Sequence, residues 1–375
     1  MQNVKSQTYS VFEALEKVLL KKVNMAVYRL PGDKNTTLIV QKKQALRELT
    51  DLSRIPSTGG FLIAPFITEV PSKTYLIEPE LRFCNTLSDK QFRSLDDIQP
   101  AFRNGVAKMN LKETPKEDFI SQVEETIKQI RSGEFSKVVL SRIRILGGKY
   151  STELARIFKL LCESYSNAFV YLFNINGKCW VGATPEPLIC AANNQLYTVS
   201  LAGTRSYSKE NTRVSIWNHK ERVEQEYVTE YIEKILAENQ VNHYIKKGPY
   251  TKKAGKLLHL RTDFFFSADE AGDKLPALVN TLHPTSAVCG IPMEASIKFI
   301  RSLEKHDREY YTGFLGPVGM KEGMQLFVNL RCMQVLKNQL VLYVGGGITD
   351  ESVPEDEWEE TEIKAETLLT ILQQI

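Results

Sequence analysis

The C-terminal part of the chain reads GFLGPVGM (313–320), LFVNLRCMQV (326–335), QLVLYVGGGI (339–348) and then PEDEWEETEIKAETLLTILQQ (354–374). The first three stretches are short and apolar, rich in β-branched and aromatic residues and punctuated by glycine, which predicts successive strands. The fourth carries charges and apolar residues at helical spacing and predicts one final helix over 355–374. A run of strands followed by a helix is the unit to look for upstream, and it recurs. FVYLFN (169–174), KCWVGA (178–183) and QLYTVSLA (195–202) are strand-like and precede a long helical pattern over roughly 216–238, with Val223, Tyr227, Ile232 and Ile235 apolar. A lysine-rich hairpin-like stretch, the strand LLHLRTDFFF (257–266) and two more helical segments follow. Strands grouped in runs with helices between the runs predict an α+β architecture rather than a doubly wound parallel sheet.

Further towards the N-terminus, KVVLSRIRIL (137–146) predicts a strand and residues 152–165 a helix with Leu154, Phe158 and Leu161 on one face. Phe119, Val123, Ile127 and Ile130 form another helical stripe, and Thr114-Pro115-Lys116-Glu117 before it matches a capping box with proline at the first helical position. Residues 1–110 read as an amphipathic helix (Val11, Leu15, Val18, Leu19) followed by strands in AVYRLPGDKN, TTLIVQ, GGFLIAPF and TYLIEPELRF. The polar run RNGVAKMNLKETP (103–115) is the best candidate for a connection. The chain is thus read as an N-terminal part of the same fold, 1–110, and a region 111–375 that carries the chemistry.

At 375 residues and 42% hydrophobic, the chain can bury a large core. Its 48 basic and 45 acidic side chains leave a net charge of +3, too little for a nucleic-acid binder, so a small anion must be held by local residues. The one basic cluster, KKGPYTKKAGK (246–256), has a single interleaved aromatic and reads as a solvated hairpin. Six scattered cysteines form no CxxC pair and read as reduced thiols. With no leader-like start and no long apolar window, the expectation is a cytoplasmic protein without membrane contact.

Several constellations can carry chemistry. Glu357, Glu360 and Lys364 are spaced i, i+3, i+7 on the last helix and share a face. Glu221 and Glu224 repeat the idea on the helix at 216–238. Two glutamate pairs from separate helices are one way to build an oxygen-ligand magnesium site, although acidic residues three apart are also ordinary on solvated helix faces. Lys137 heads the strand KVVLSR; on an edge it is solvated, whereas in a closed pocket desolvation would make it a usable base. Glu186 is pinned between prolines in GATPEPL, and burial would raise its pKa towards that of a general acid. Gly345 to Gly347, and Gly203 with Thr204 in LAGTR, end strands without the spacing of a nucleotide-binding loop, but they let backbone N–H groups approach an anion. Arg331 in NLRC, a basic residue in a strongly apolar run, is either an outward edge residue or the holder of a buried anion.

At these residues the chain resembles the chorismate-utilising family that includes isochorismate synthase, salicylate synthase, anthranilate synthase and aminodeoxychorismate synthase. The resemblance covers about residues 115–375, in order, through SKVVLSR, GATPEPL, LAGTR, KERVEQE, HPTSAVCG, YYTGFLGPVG, NLRC, VGGGI and EWEETEIK. It implies a single large αββα-sandwich domain and a Mg2+-dependent reaction of chorismate. It further implies Glu224 and Glu360 as metal ligands, with Glu221 and Glu357 in or beside the coordination sphere. Arg331, Gly203, Thr204, Gly345 and Lys364 would hold the substrate, and His283 would line the pocket. Lys137 would take a proton from water attacking C2 of the ring, and Glu186 would donate one to the departing C4 hydroxyl. Members that add ammonia carry glutamine at the position of Lys137, or lysine at that of Ala202, so the resemblance points to isochorismate formation without an obligate amidotransferase subunit. Salicylate formation from the same site, or a silent chorismate-binding homologue, are the alternatives; relatives serve menaquinone or siderophore biosynthesis. Gln225 stands where histidine is frequent, and Ser200 where proline often precedes LAGT.

Overall fold

In a computed structural model of the protein, residues 7–43, 45–67, 73–102, 111–207, 217–254, 257–320 and 323–375 are described. Among them two antiparallel sheets are stacked, of eleven and nine strands. The larger carries, as neighbours across its middle, Thr36–Gln41, Asn24–Arg29, Phe169–Ile175, Lys178–Thr184, Cys332–Leu336, Gln339–Ile348 and Lys137–Gly147. In the smaller, Tyr244–Ala254 is an edge, followed by Leu257–Ser267, Gln195–Ser206, Pro187–Ala192, Gln325–Val328, Phe314–Val318 and Gly60–Ala64. The inner faces interlock through aromatic side chains: Phe169 of the larger sheet stacks on Phe327 of the smaller with ring centroids 4.3 Å apart, and Tyr28 meets Phe61 at 5.5 Å.

Helices cover both outer faces because each has one apolar stripe to bury. Val11–Leu19, Leu154–Ser164 and Pro354–Leu372 pack on the larger sheet, with Leu15, Phe158 and Leu368 at most 1% exposed. His219–Glu238 and Leu275–Leu282 cover the smaller through Val228, Ile232 and Leu278. The expected αββα sandwich is therefore observed. Among the described residues no helix is long and apolar enough to cross a membrane. Most of the expected connection, residues 103–110, lies outside the described residues.

Two readings of the sequence need correction. LFVNLRCMQV is two strands rather than one: Gln325–Val328 belongs to the smaller sheet and Cys332–Leu336 to the larger, and the chain changes sheets at Asn329-Leu330-Arg331. Arg331 makes the corner in the left-handed region, at φ 48°. The same happens after KCWVGAT, where Lys178–Thr184 of the larger sheet passes through Pro185-Glu186 into Pro187–Ala192 of the smaller. Hydrophobicity alone does not show such a crossing, because both strands are buried. The two corners touch: Ala183 N donates to Arg331 O at 3.1 Å and Val328 N to Glu186 O at 2.9 Å. Nor does Thr114 cap a helix. Pro115 is the N-cap residue of Lys116–Arg131 and makes no side-chain cap, while Thr114 N donates to Ile143 O at 3.1 Å and its hydroxyl accepts from Ile143 N at 3.3 Å. Anchorage to the neighbouring strand has displaced the cap.

Candidate active site

The strands Lys137–Gly147 and Gln339–Ile348 pair so that Gly347 lies opposite Val139 and Gly345 opposite Ser141. The glycines clear space for side chains. A methyl group added at Gly347 would sit 2.5 Å from Glu224 Oε1 and 2.8 Å from Lys137 Cε; at Gly346 it would meet Glu357 Oε2 at 3.3 Å and Glu360 Oε1 at 3.9 Å. Lys137 is fully buried, with Nζ 3.0 Å from Glu224 Oε1. Burial works against the Glu224 carboxylate, but Lys137, then Lys364 and Lys220, outweigh it and hold the group below the usual carboxylate range.

Glu186 and Arg331, at the two sheet corners, both line a small cavity of about 70 Å³ together with Glu224, Glu360, Lys364, Gly203 and Gly345 to Gly347. Burial pushes the Glu186 carboxyl up to about 7, although Arg331 and Lys137 pull the other way. It can therefore carry a proton near neutral pH while Glu224 is ionised. Arg331 is half-buried, and desolvation lowers its pKa from the ordinary value. Lys364 Nζ bonds to Gly345 O at 2.8 Å and to Glu360 Oε1 at 2.6 Å, tying the last helix to the glycine strand.

The four helical glutamates are not equivalent. Glu224 and Glu360 face the cavity. Glu357 is 1% exposed and pairs with Lys220; burial and then Glu360 raise its pKa, and its Oε2 is buried without a hydrogen bond. Glu221 is the third residue of a capping box with Asn218 and grips Arg205 through both oxygens, at 2.6 and 2.8 Å. An unsatisfied buried carboxylate oxygen beside two cavity-facing glutamates is a donor set suited to a hard cation, which needs one or two direct carboxylates and keeps waters. Among the described residues no three carboxylate, histidine or thiol groups are already gathered at ligand distance, and the glutamates are neutralised by Lys137, Lys220 and Lys364 instead.

A model of the chorismate binding enzyme family matches residues 75–373. The chain belongs to that family. The vibriobactin-specific isochorismate synthase of Vibrio cholerae is 30% identical over 260 residues, 68% of this chain and 66% of the relative. The isochorismate synthase MenF of Bacillus subtilis is 27% identical over 267 residues, 70% of this chain and 56% of the relative. The matches thus span just under two thirds of the first relative and little over half of the second. Over the whole fold, the menaquinone-specific isochorismate synthase MenF of Escherichia coli superposes with a TM-score of 0.76 at 22% identity, covering 98% of this chain and 94% of that one.

Within this family member the structure brings Glu186, Gly203, Glu224, Arg331, Gly345, Glu360 and Lys364 to one cavity and places Lys137 against Glu224. The side chain of Thr204 lies outside the described residues. His283 is elsewhere. Its Nε2 lies 2.9 Å from Pro65 O and 3.1 Å from Phe66 O, its ring packs on Phe314, and it is not among the cavity-lining residues. The cavity histidine is His259, whose Nδ1 donates to Gly203 O at 2.7 Å. Burial, reinforced by Arg331, pushes His259 down to about 3, so the ring is neutral. Its signal was the one that marked Arg331, a polar side chain in an apolar run. The two departures from the commonest family pattern are in contact, since Gln225 Nε2 donates to Ser200 Oγ at 2.8 Å and lies 3.2 Å from Thr262 Oγ1. Together they fill the space behind Glu224 with one buried polar network.

Proposed function

We propose that this protein is an isochorismate synthase that converts chorismate to isochorismate by adding water at C2 of the ring and expelling the C4 hydroxyl. The observation that carries the reading is Glu186: a buried carboxyl at a rigid sheet corner, with its pKa pushed up to about 7, in a cavity also lined by Glu224, against which Lys137 is paired at 3.0 Å. Glu186 gives its proton to the departing hydroxyl, and Lys137 takes one from the attacking water. The ring double bonds shift, and no atom is gained or lost overall. Arg331 and Lys364 hold the substrate carboxylates, with backbone groups of Gly203 and Gly345 beside them. Glu224 and Glu360, with Glu357 next to them, would hold a magnesium ion, which when bound neutralises the ring carboxylate and draws electron density towards it. Ala202, which is small and cannot act as a nucleophile, and Lys137 both suit water rather than ammonia as the incoming group, so no amidotransferase subunit is required.

The test is product analysis by chromatography after incubation of the purified protein with chorismate, with and without magnesium. Isochorismate alone supports the reading. Salicylate with pyruvate would move the protein to a further elimination at the same residues, and no metal-dependent consumption would refute it.

A further inference from the structure

The inner cavity, which gathers Glu186, Glu224, Arg331 and Lys364, measures about 70 Å³. Beside it lies a second cavity of about 520 Å³, which shares Pro185, Leu201, His259 and Arg331 with the first. The outer one is well within small-molecule size, for which about 300 Å³ is the lower end. Its wall has one sign of charge. Lys252, Lys253, Arg261 and Arg331 line it, and among the described residues no Asp or Glu does. Arg261 is neutralised by Asp263 at 2.6 Å. Among the described residues, Lys252 and Lys253 have no carboxylate at ion-pair distance, while Arg331 feels Glu360 and Glu186 from the inner cavity without an ion pair to either, so the outer opening presents two unpaired ammonium groups ahead of Arg331.

We propose that the outer cavity is an anion-capture chamber, in which Lys252 and Lys253 collect a dicarboxylate from solvent and pass it to Arg331 at the mouth of the inner site. This rests on the reading that the substrate is chorismate, a dianion. Lysines on an edge strand ordinarily serve to discourage edge-to-edge pairing, and Lys246 and Lys247 of the same strand, Tyr244–Ala254, fit that role: Lys246 pairs with Glu233 at 2.9 Å, Lys247 sits over Phe265, and neither lines either of these two cavities. Lys252 and Lys253 differ. Lys252 lies directly across the ladder from His259, a residue of both cavities, while Lys253 is held over the Tyr207 ring at 3.4 Å. An ammonium group is a compact, strongly hydrated point charge, suited to collecting an anion without gripping it. The planar guanidinium of Arg331, fixed at its corner, is suited to gripping a carboxylate in two bonds. With a net charge of only +3 on the whole chain, the attraction must be local.

The inference is tested by steady-state kinetics with chorismate at saturating magnesium, for wild type, Lys252→Gln/Lys253→Gln and Lys246→Gln/Lys247→Gln, each at two ionic strengths. For a dianion taken at about 8 Å from each ammonium in a dielectric of about 80, with Debye lengths of about 8 Å at 0.15 M and about 30 Å at 0.01 M salt, neutralising Lys252 and Lys253 lowers kcat/KM about fourfold at the higher and about fifteenfold at the lower ionic strength. The loss should fall in KM. The Lys246/Lys247 pair should show neither effect. Equal losses in both double variants, a loss confined to kcat, or an unchanged KM would overturn the chamber. If the wild type turns over chorismate but KM does not respond to Lys252 and Lys253, only this inference fails. If the wild type does not consume chorismate, the functional reading itself has failed and this inference goes with it.

Discussion

Replacing Gly347 by alanine should disable the site while sparing the fold. The residue is in a regular strand and needs no left-handed backbone, so alanine is conformationally acceptable there, and the added methyl group is the whole perturbation. That methyl would lie 2.5 Å from Glu224 Oε1 and 2.8 Å from Lys137 Cε, where ordinary contact begins at 3.4 Å. The carboxylate must withdraw by 3.4 − 2.5, about 0.9 Å, and the lysine by 3.4 − 2.8, about 0.6 Å. Lys137 is fully buried and has little room to yield, so the ion pair that faces Glu186 is pushed out of register. Misplacement of a reacting group by about 1 Å costs roughly a hundredfold in rate. Overpacking should cost about 1–3 kcal/mol of stability, partly offset by the roughly 0.5–1 kcal/mol that alanine gains over glycine in an element interior. The assay is the initial rate of isochorismate formation, alongside urea unfolding. Gly147→Ala is the control, because it lies on the partner strand and a methyl there meets nothing within 4 Å. A Gly347→Ala enzyme within about threefold of the wild-type rate would refute the claim that the glycine run makes room for the catalytic pair.

Glu186→Gln should lower kcat by about 10²–10⁴ with the fold intact, and retention of near wild-type rate would exclude Glu186 as the acid. The folded pKa of Glu186 is raised from 4.5 to about 7, so its contribution to stability is complete below pH 4.5 and is lost as pH rises through about 7. Glu186→Gln should therefore gain on wild type in unfolding experiments across that window, by as much as about 3 kcal/mol above pH 7. Glu224→Ala and Glu360→Ala should each abolish both turnover and its response to magnesium; an unchanged magnesium titration in either would count against the two-helix metal site. Glu304→Ala should destabilise by about 3–5 kcal/mol, because the buried Arg308, 2.6 Å from Glu304 Oε1, would lose its counter-charge. A urea midpoint within error of wild type would contradict that.

Local pattern determined much of this protein. Apolar density and turn residues located most strands and helices, and helical spacing showed that Glu221 and Glu224, like Glu357 and Glu360, belong to single faces. Periodicity says which residues share a face but not what the face meets. Only the packed structure decided that Glu224 and Glu360 turn to the cavity while Glu221 is spent on Arg205 and on its own helix start. The sheet changes at Glu186 and Arg331 were invisible for a related reason: a buried strand has the same apolar composition in either sheet, and which sheet it joins depends on long-range pairing. The glycine run showed backbone freedom, whereas its use as clearance for Lys137 and Glu224 depends on a helix more than a hundred residues away in sequence. His259 and His283 both interrupt apolar surroundings, and burial alone does not tell a pocket wall from a backbone anchor. The tertiary fold separated them by placing His259 on Gly203 at the cavity and His283 on Pro65 and Phe66 away from it.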